Sequence, residues 1–291
     1  MERKKFIQLA SSGLGILAAN NYVNAMSFLN PNQKKTNIKN FGIQLWTVRD
    51  AMANDAKATL KALASYGYKS IESFDGDKGM FWGMSPTEFK TYLTNNNLSI
   101  KAAHCNLNVD FEKKAEQAAS IGMEFLIYPW EGPDMKIDDY KKLAADFNKK
   151  GEYLKKIGLK LAFHNHDYTF KKMNGVFAQD TLMQNTQEDL VYYEMDIYWV
   201  ITAGEDPIKW IKKYPNRFKS CHIKDRIKNV EPTNTNASCV LGKGSIDFSK
   251  ILSVAKQNGM KHFYVEQERF DEGTSMECAK LNAAYMQKLK I

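Results

Sequence analysis

Eight short apolar runs recur along this chain, and between them lie stretches with helical spacing. No other feature limits the fold as strongly. The runs fall near Gly42–Leu45, Ser70–Ser73, Ile100–His104, Phe125–Tyr128, Lys160–His164, Val191–Asp196, Phe218–Ile223 and His262–Glu266. Strands joined through helices pair in parallel, and a parallel sheet needs helices over its faces. The helical stretches include Ala56–Tyr66, Ser85–Asn97, Phe111–Ile121, Ile137–Ile157, Pro207–Tyr214 and Ser249–Asn258. Some of their ends are legible. Ser85-Pro86-Thr87-Glu88 reads as an N-cap with proline in the first turn and a capping glutamate, while Gly67, Gly122, Gly158 and Gly259 sit just past helices where a left-handed residue is wanted. With no glycine-rich dinucleotide fingerprint, eight strands predict a closed (β/α)8 barrel over residues 41–291 rather than an open doubly wound sheet.

Ahead of the barrel the chain begins Met1-Glu2-Arg3-Lys4-Lys5-Phe6, continues with an apolar run from Ile7 to Ala19 and reaches Val23-Asn24-Ala25. A basic start, a short apolar stretch and small residues follow the order of an export signal. The reading is a signal over residues 1–25, a linker over 26–40 and a periplasmic location. No other apolar stretch approaches the roughly 18 residues that read as a membrane span.

The formal net charge of +8 raises the question of nucleic acid. The lysines, such as Lys209, Lys212 and Lys213, are spread along amphipathic stretches and not gathered into one arm, so a solvated helical face explains them and no nucleic-acid partner is expected. Four cysteines show no C-x-x-C spacing, which gives no support to a zinc knuckle or a thioredoxin-like motif.

In barrels of this kind the active site lies at the C-terminal strand ends. The chain has five histidines, and four of them, His104, His164, His166 and His222, fall at such ends; His262 starts its strand and reads as structural. Carboxylates gather at the same end: Glu72, Glu194, Asp196, Glu266 and Glu268. Residues two apart on a strand share a face, so Glu194 with Asp196, and Glu266 with Glu268, point the same way. Packed acids repel unless a cation neutralises them. One divalent metal ion is the simplest remedy, and a donor set mixing imidazole with carboxylate suits manganese, iron, cobalt or zinc. Trp46 and Arg49 after the first strand, Glu72 and Trp199 are candidates for the substrate pocket. Gly242-Lys243-Gly244 is a weak candidate for a phosphate cradle, and Asp225 is placed either to orient His222 or to cap a helix.

Several strings resemble a known family: His164-Asn165-His166-Asp167-Tyr168, Glu194-Met195-Asp196-Ile197-Tyr198-Trp199-Val200, His222-Ile223-Lys224-Asp225, Gly242-Lys243-Gly244-Ser245-Ile246-Asp247-Phe248 and Val265-Glu266-Gln267. They look like the sugar phosphate isomerase/epimerase family of the xylose-isomerase-like barrels, near its inosose dehydratase and keto-sugar lyase branches, and the likeness runs from about Phe41 to the C-terminus. In the epimerase relatives one metal sits between acids on strands 5, 6 and 8 and a histidine on strand 7. The resemblance therefore implies Asp196, His222 and Glu266 as ligands. On strand 5 this chain has His164 where the epimerases carry glutamate, and Thr169 where many relatives carry another. His164 is the preferred fourth ligand, with His166 or water as alternatives.

That substitution bears on mechanism, because the epimerases shuttle a proton between two metal-bound carboxylates. A histidine-rich strand 5 looks more like the dehydratase and lyase branches, in which a base removes a proton beside a carbonyl and a neighbouring oxygen substituent leaves. His166 or Glu266 is the expected base, with His104 and Lys224 contacting substrate oxygens. The expected substrate is a sugar or keto-sugar, unphosphorylated if the protein is exported. The rivals are a noncatalytic carbohydrate-binding barrel and an apurinic-site nuclease, whose branch of the superfamily carries three metals and more histidines.

Overall fold

The structure is a computed structural model that describes residues 36–291. The expected export signal and most of the expected linker lie outside the described residues. A compact unit spans Asn37–Ile291. It starts slightly before the expected barrel boundary, because Asn37 bridges to Lys290 and Ile38 is buried.

Eight parallel strands close into a barrel: β1 (Gly42–Gln44), β2 (Ser70–Phe74), β3 (Ser99–His104), β4 (Phe125–Tyr128), β5 (Lys160–His164), β6 (Val191–Asp196), β7 (Phe218–Ile223) and β8 (His262–Val265), with β8 pairing back onto β1. Gly42 sits at that closure, opposite Ser70 on one side and Tyr264 on the other. A Cβ there would come within 2.7 Å of the Ser70 carbonyl oxygen, so only glycine lets three strands meet at this spacing. The outer helices are α1 (Ala56–Tyr66), α2 (Pro86–Asn95), α3 (Phe111–Ser120), α4 (Ile137–Lys156), α5 (Ala178–Asn185), α6 (Pro207–Lys213), α7 (Phe248–Gln257) and α8 (Ser275–Lys288). The capping box at Ser85 and Glu88 forms as read, and Gly67 ends α1 at φ 107°. Among the described residues no helix is long and apolar enough to cross a membrane.

The two-residue period of the strands sorts the core. One apolar layer lies between strands and helices. A smaller set, Ala102, Phe125, Ile127 and Ala162 with Tyr192 against them, belongs to the opposite parity and fills the lower barrel interior. Two residues further along the same strands, that parity brings His104, His164 and Glu194 to the mouth.

Candidate active site

The pairing of two strands is irregular next to the acids. Opposite Ile71 and Glu72 of β2 the strand β3 carries one extra residue, Lys101, and opposite Tyr193 and Glu194 of β6 the strand β7 carries Lys219. Such bulges re-aim the side chains that follow them, here His104 and His222. Glu72 and Glu194 reach the barrel axis by plain alternation, and there His222 Nε2 lies 2.6 Å from Glu72 Oε2 and 3.1 Å from Glu194 Oε2. His104 Nε2 stands 2.7 Å from the same Glu194 oxygen and 3.3 Å from Glu72 Oε2, and His164 Nδ1 is 3.1 Å from Glu194 Oε2. Gln44 donates to Glu72 Oε2 at 2.7 Å.

A second group lies above this floor. Lys224 Nζ is 2.8 Å from Asp196 Oδ2, 2.8 Å from Glu266 Oε2 and 3.1 Å from Glu268 Oε2, and His222 turns Nδ1 up to Glu266 Oε2 at 3.1 Å. Asp196 caps the short helix Ile197–Thr202, accepting from the Trp199 amide. Asn165 fixes it from the neighbouring strand, donating to the Asp196 carbonyl and accepting from its amide.

Charge is unevenly shared among these groups. Burial favours a neutral His222, but Glu194, Glu266 and Glu72 outweigh it and hold the imidazolium well above its usual pKa. Burial also works against an ionised Glu194, yet His222 and the hydrogen bonds from the histidines keep its pKa well below the carboxylate range. Glu72 goes the other way, raised by burial and by Glu194. Lys224 and His222 likewise hold Glu266 low despite its burial. His164 is pressed down to about 4, by burial first and by His222 next, and is neutral at ordinary pH.

The donor chemistry fits a divalent ion in two overlapping places. His104, His164, Glu194 and His222 form one set and Asp196, His222 and Glu266 the other, with the donor atoms of each within 4.8 Å of one another. A tetrahedral site with bonds of about 2.0–2.1 Å spaces its ligand atoms about 3.3 Å apart. The separations of 2.7, 3.1 and 3.1 Å from Glu194 Oε2 to His104, His164 and His222 are near that value. Glu72 Oε1 and Glu194 Oε1 are buried without hydrogen-bond partners, as carboxylates short of a cation would be. The upper set already holds the Lys224 ammonium.

A cavity of about 440 Å³ opens over the floor, and Trp46, His104, His164, His166, Trp199 and Glu266 line it. His166 faces Trp130 edge-on at 4.5 Å and stacks on Tyr168 at 5.7 Å. Burial, then His164 and Lys224, push its pKa well below the usual histidine value, and its Nδ1 is buried and unpartnered.

Several expected placements are corrected. Lys224 is fully buried among carboxylates and does not line the cavity, so it is not positioned to touch substrate oxygens. Glu72 is also fully buried, in the floor and not on the substrate wall. Arg49 lies over the Trp46 ring at 4.7 Å and faces an adjoining groove. Asp225 neither orients His222 nor caps a helix; it accepts from the amides of Arg226, Gly242, Gly244 and Ile246. The Gly242–Gly244 loop therefore cradles a carboxylate of its own chain. His262 sits at the opposite end of the barrel, beside Glu124. Gln44 and Asn165 were missed; their signal is a polar side chain at or just past the end of an apolar strand.

Comparison with known proteins places this architecture. A family model described as Xylose isomerase-like TIM barrel matches residues 60–289. The chain belongs to that family. Among curated members it is 35% identical over 145 residues to an inosose dehydratase of Clostridium perfringens (strain 13 / Type A), a match covering 45% of this chain and 48% of that protein. The chain thus spans about half the length of the curated relatives it matches. A crystal structure of a sugar phosphate isomerase/epimerase from Parabacteroides distasonis ATCC 8503 superposes with a TM-score of 0.73 at 27% identity, covering 88% of this chain and 96% of that one. The IOLI protein with a binding zinc atom shares the fold at 16% identity and a TM-score of 0.71, over 86% of this chain and 97% of its own. Two of these three relatives carry enzyme names, an inosose dehydratase and a sugar phosphate isomerase/epimerase.

Proposed function

We propose that this xylose isomerase-like barrel is a divalent-metal-dependent lyase or isomerase that removes a proton beside a carbonyl of a sugar or keto-sugar, with elimination favoured over epimerisation. The observation that carries the reading is the floor: His104, His164, Glu194 and His222 bring imidazole and carboxylate donors within 4.8 Å of one another at the barrel axis, with one oxygen of Glu194 and one of the adjoining Glu72 left unpartnered. His104, His164, Glu194 and His222 are the residues that would hold the ion, with Glu72 hydrogen-bonded alongside them. When bound, it supplies Lewis-acid stabilisation of the negative charge that develops on the substrate oxygen.

The remaining chemistry belongs to the chain. His166 is neutral at ordinary pH, lines the cavity and has a free buried Nδ1, so it can accept a proton at once. Glu266 lines the same cavity but is engaged by Lys224 and His222, whereas His166 Nδ1 has no partner. With no carboxylate on β5 to work the opposite face of the substrate, the proton on His166 is best returned to a departing oxygen, which leaves elimination proton-neutral. The names of the curated relatives agree with this direction. Lys224 positions Asp196, Glu266 and Glu268 and does not itself meet the substrate.

The test is elemental analysis of purified protein, followed by proton–deuterium exchange on a panel of keto sugars. Stoichiometric metal that is lost in Glu194→Gln and kept in Glu266→Gln, together with exchange lost in His166→Ala, is the expected result. Metal lost in Glu266→Gln and kept in Glu194→Gln would move the ion to the upper set. Protein that takes up no metal would overturn the reading.

A further inference from the structure

We infer that the mouth selects an uncharged keto-sugar ring that carries a second ring, with ordinary glycosides as its unreactive binding analogues, and discriminates against phosphorylated sugars. The inference rests on the sugar-modifying reading above and adds the class of substrate to it.

Charge comes first. Among the described residues, none of those lining the cavity is a lysine or arginine, whereas Asp75, Glu266 and Glu268 are on its wall. The nearby cations are already engaged: Lys114 pairs with Asp75 at 2.7 Å, and Lys224 lies among three carboxylates. A phosphate entering here would lose its water and meet acids in place of the charged donors that normally bind it. The glycine loop cannot substitute, because the amides of Gly242 and Gly244 point at Asp225 Oδ2 at 2.9 and 3.0 Å, and a Cβ on Gly244 would run into that carboxylate.

The second observation is the rim. Trp46 is 41% exposed and Trp130 52%, yet both rings are fixed by edge contacts, Trp46 on Phe74 at 5.1 Å and Trp130 on His166 at 4.5 Å. Exposed, rigid aromatic rings at a cavity mouth mark a recognition surface, since they cover apolar area at little entropic cost. They also stand a layer above the reactive floor. His164 is followed outward by His166 at 5.0 Å, and His166 by Trp130. A single sugar held at the floor leaves the tryptophans bare, whereas a second ring, sugar or aryl, lies against them through its apolar face. Arg49 covers one face of Trp46 from the adjoining groove, which also holds Asp77 and Lys78, and leaves the other face to the ligand.

The test is calorimetric titration of the metal-supplemented protein with matched methyl and 4-nitrophenyl glycosides of several hexoses, and with hexose 6-phosphates. We expect the aryl glycoside of the preferred sugar to bind about tenfold more tightly than its methyl counterpart. That advantage, read as the ratio of the two affinities within each variant, should shrink at least threefold in Trp46→Ala or Trp130→Ala. Hexose 6-phosphates should bind more weakly than the free hexoses. Equal binding of both glycosides in the wild type, or an aryl preference unchanged in both variants, overturns the rim subsite alone. Preferred binding of a hexose 6-phosphate that is lost in Arg49→Ala overturns the charge argument and assigns the adjoining groove to phosphate. Absence of any sugar binding overturns the sugar reading itself, and this inference with it.

Discussion

The two ends of the barrel each place a histidine beside a glutamate, and they are built differently. At the base, His262 Nε2 lies 3.3 Å from Glu124 Oε2, and Lys101 reaches the other oxygen of the same carboxylate at 3.3 Å. One acid there serves a lysine and an imidazole, both partners stand at the edge of solvent, and the neighbouring groove is lined by Lys69, Lys101 and Lys261. At the mouth, Glu72, Glu194, Asp196, Glu266 and Glu268 share one lysine and a cluster of imidazoles, and Glu72, Glu194 and His222 are fully buried. A histidine–carboxylate pair is therefore no mark of function by itself. The mark is an excess of buried acceptors over donors, which the base lacks and the mouth displays in Glu72 Oε1 and Glu194 Oε1.

That contrast can be broken most forcefully at Lys224. Lys224→Met should destabilise the protein by about 3–5 kcal/mol, the usual result of removing one partner from a buried ionic group, and thermal melts of the metal-free protein should show a fall of roughly 10 °C or more. A loss no larger than that of a surface lysine would mean the mouth acids are not charged together. The next largest effect falls on the ion: Glu194→Gln should weaken metal affinity by about 100-fold in a competition with a chromophoric chelator, whereas His262→Gln should leave it unchanged.

A third test uses pH. His222 is held protonated by the acids around it, so metal uptake must release that proton, and apparent affinity should rise about tenfold per pH unit below the raised His222 value. A flat profile would mean that His222 is not a ligand.

The smallest effect belongs to the base. Burial, against the pull of Glu124, leaves the folded-state pKa of His262 below its unfolded value. The unfolded chain therefore binds more protons at this residue, and stability falls as pH drops through the ordinary histidine range toward the lowered folded value. His262→Gln should make the decline in melting temperature from pH 7 to 5 slightly shallower, by less than about 1 kcal/mol, as suits an interaction that water partly screens. Glu124, whose lowered pKa depends on His262 and Lys101, adds stability above the ordinary glutamate range that is lost only at lower pH.

Much of this was legible in the sequence because the barrel repeats itself. Strand ends agree within a residue, β1 stopping at Gln44 where Leu45 was read and β8 at Val265 where Glu266 was read. Helices α5 and α8 were not named from the sequence. In α8, Ser275 and Asn282 occupy core positions, and their polarity hides the apolar stripe; Asn282 is buried because it donates to Gln267 and accepts from the Leu241 amide, partners far away in sequence. The histidines and acids of the mouth were legible from their place at the C-terminal strand ends, with parity pairing Glu194 with Asp196 and Glu266 with Glu268. Depth was not, since parity says which way Lys224 and Glu72 point and nothing about what closes over them. The Asp225 loop was equally hidden, because four amides converging on one carboxylate is a tertiary fact.

The extra residues Lys101 in β3 and Lys219 in β7 give the mouth a property that side-chain replacement does not probe. In a strand, every residue's direction depends on counting from the last irregularity, so His104 and His222, which follow these insertions, are encoded by position in a reading frame as much as by identity. Lose one residue ahead of either histidine and an intact imidazole turns toward the helices, with an unaltered neighbour in its place. Chain length in these two strands is thus under tighter constraint than composition, and lineages in which this chemistry has lapsed can be sought among sequences that keep every histidine but miscount the strand.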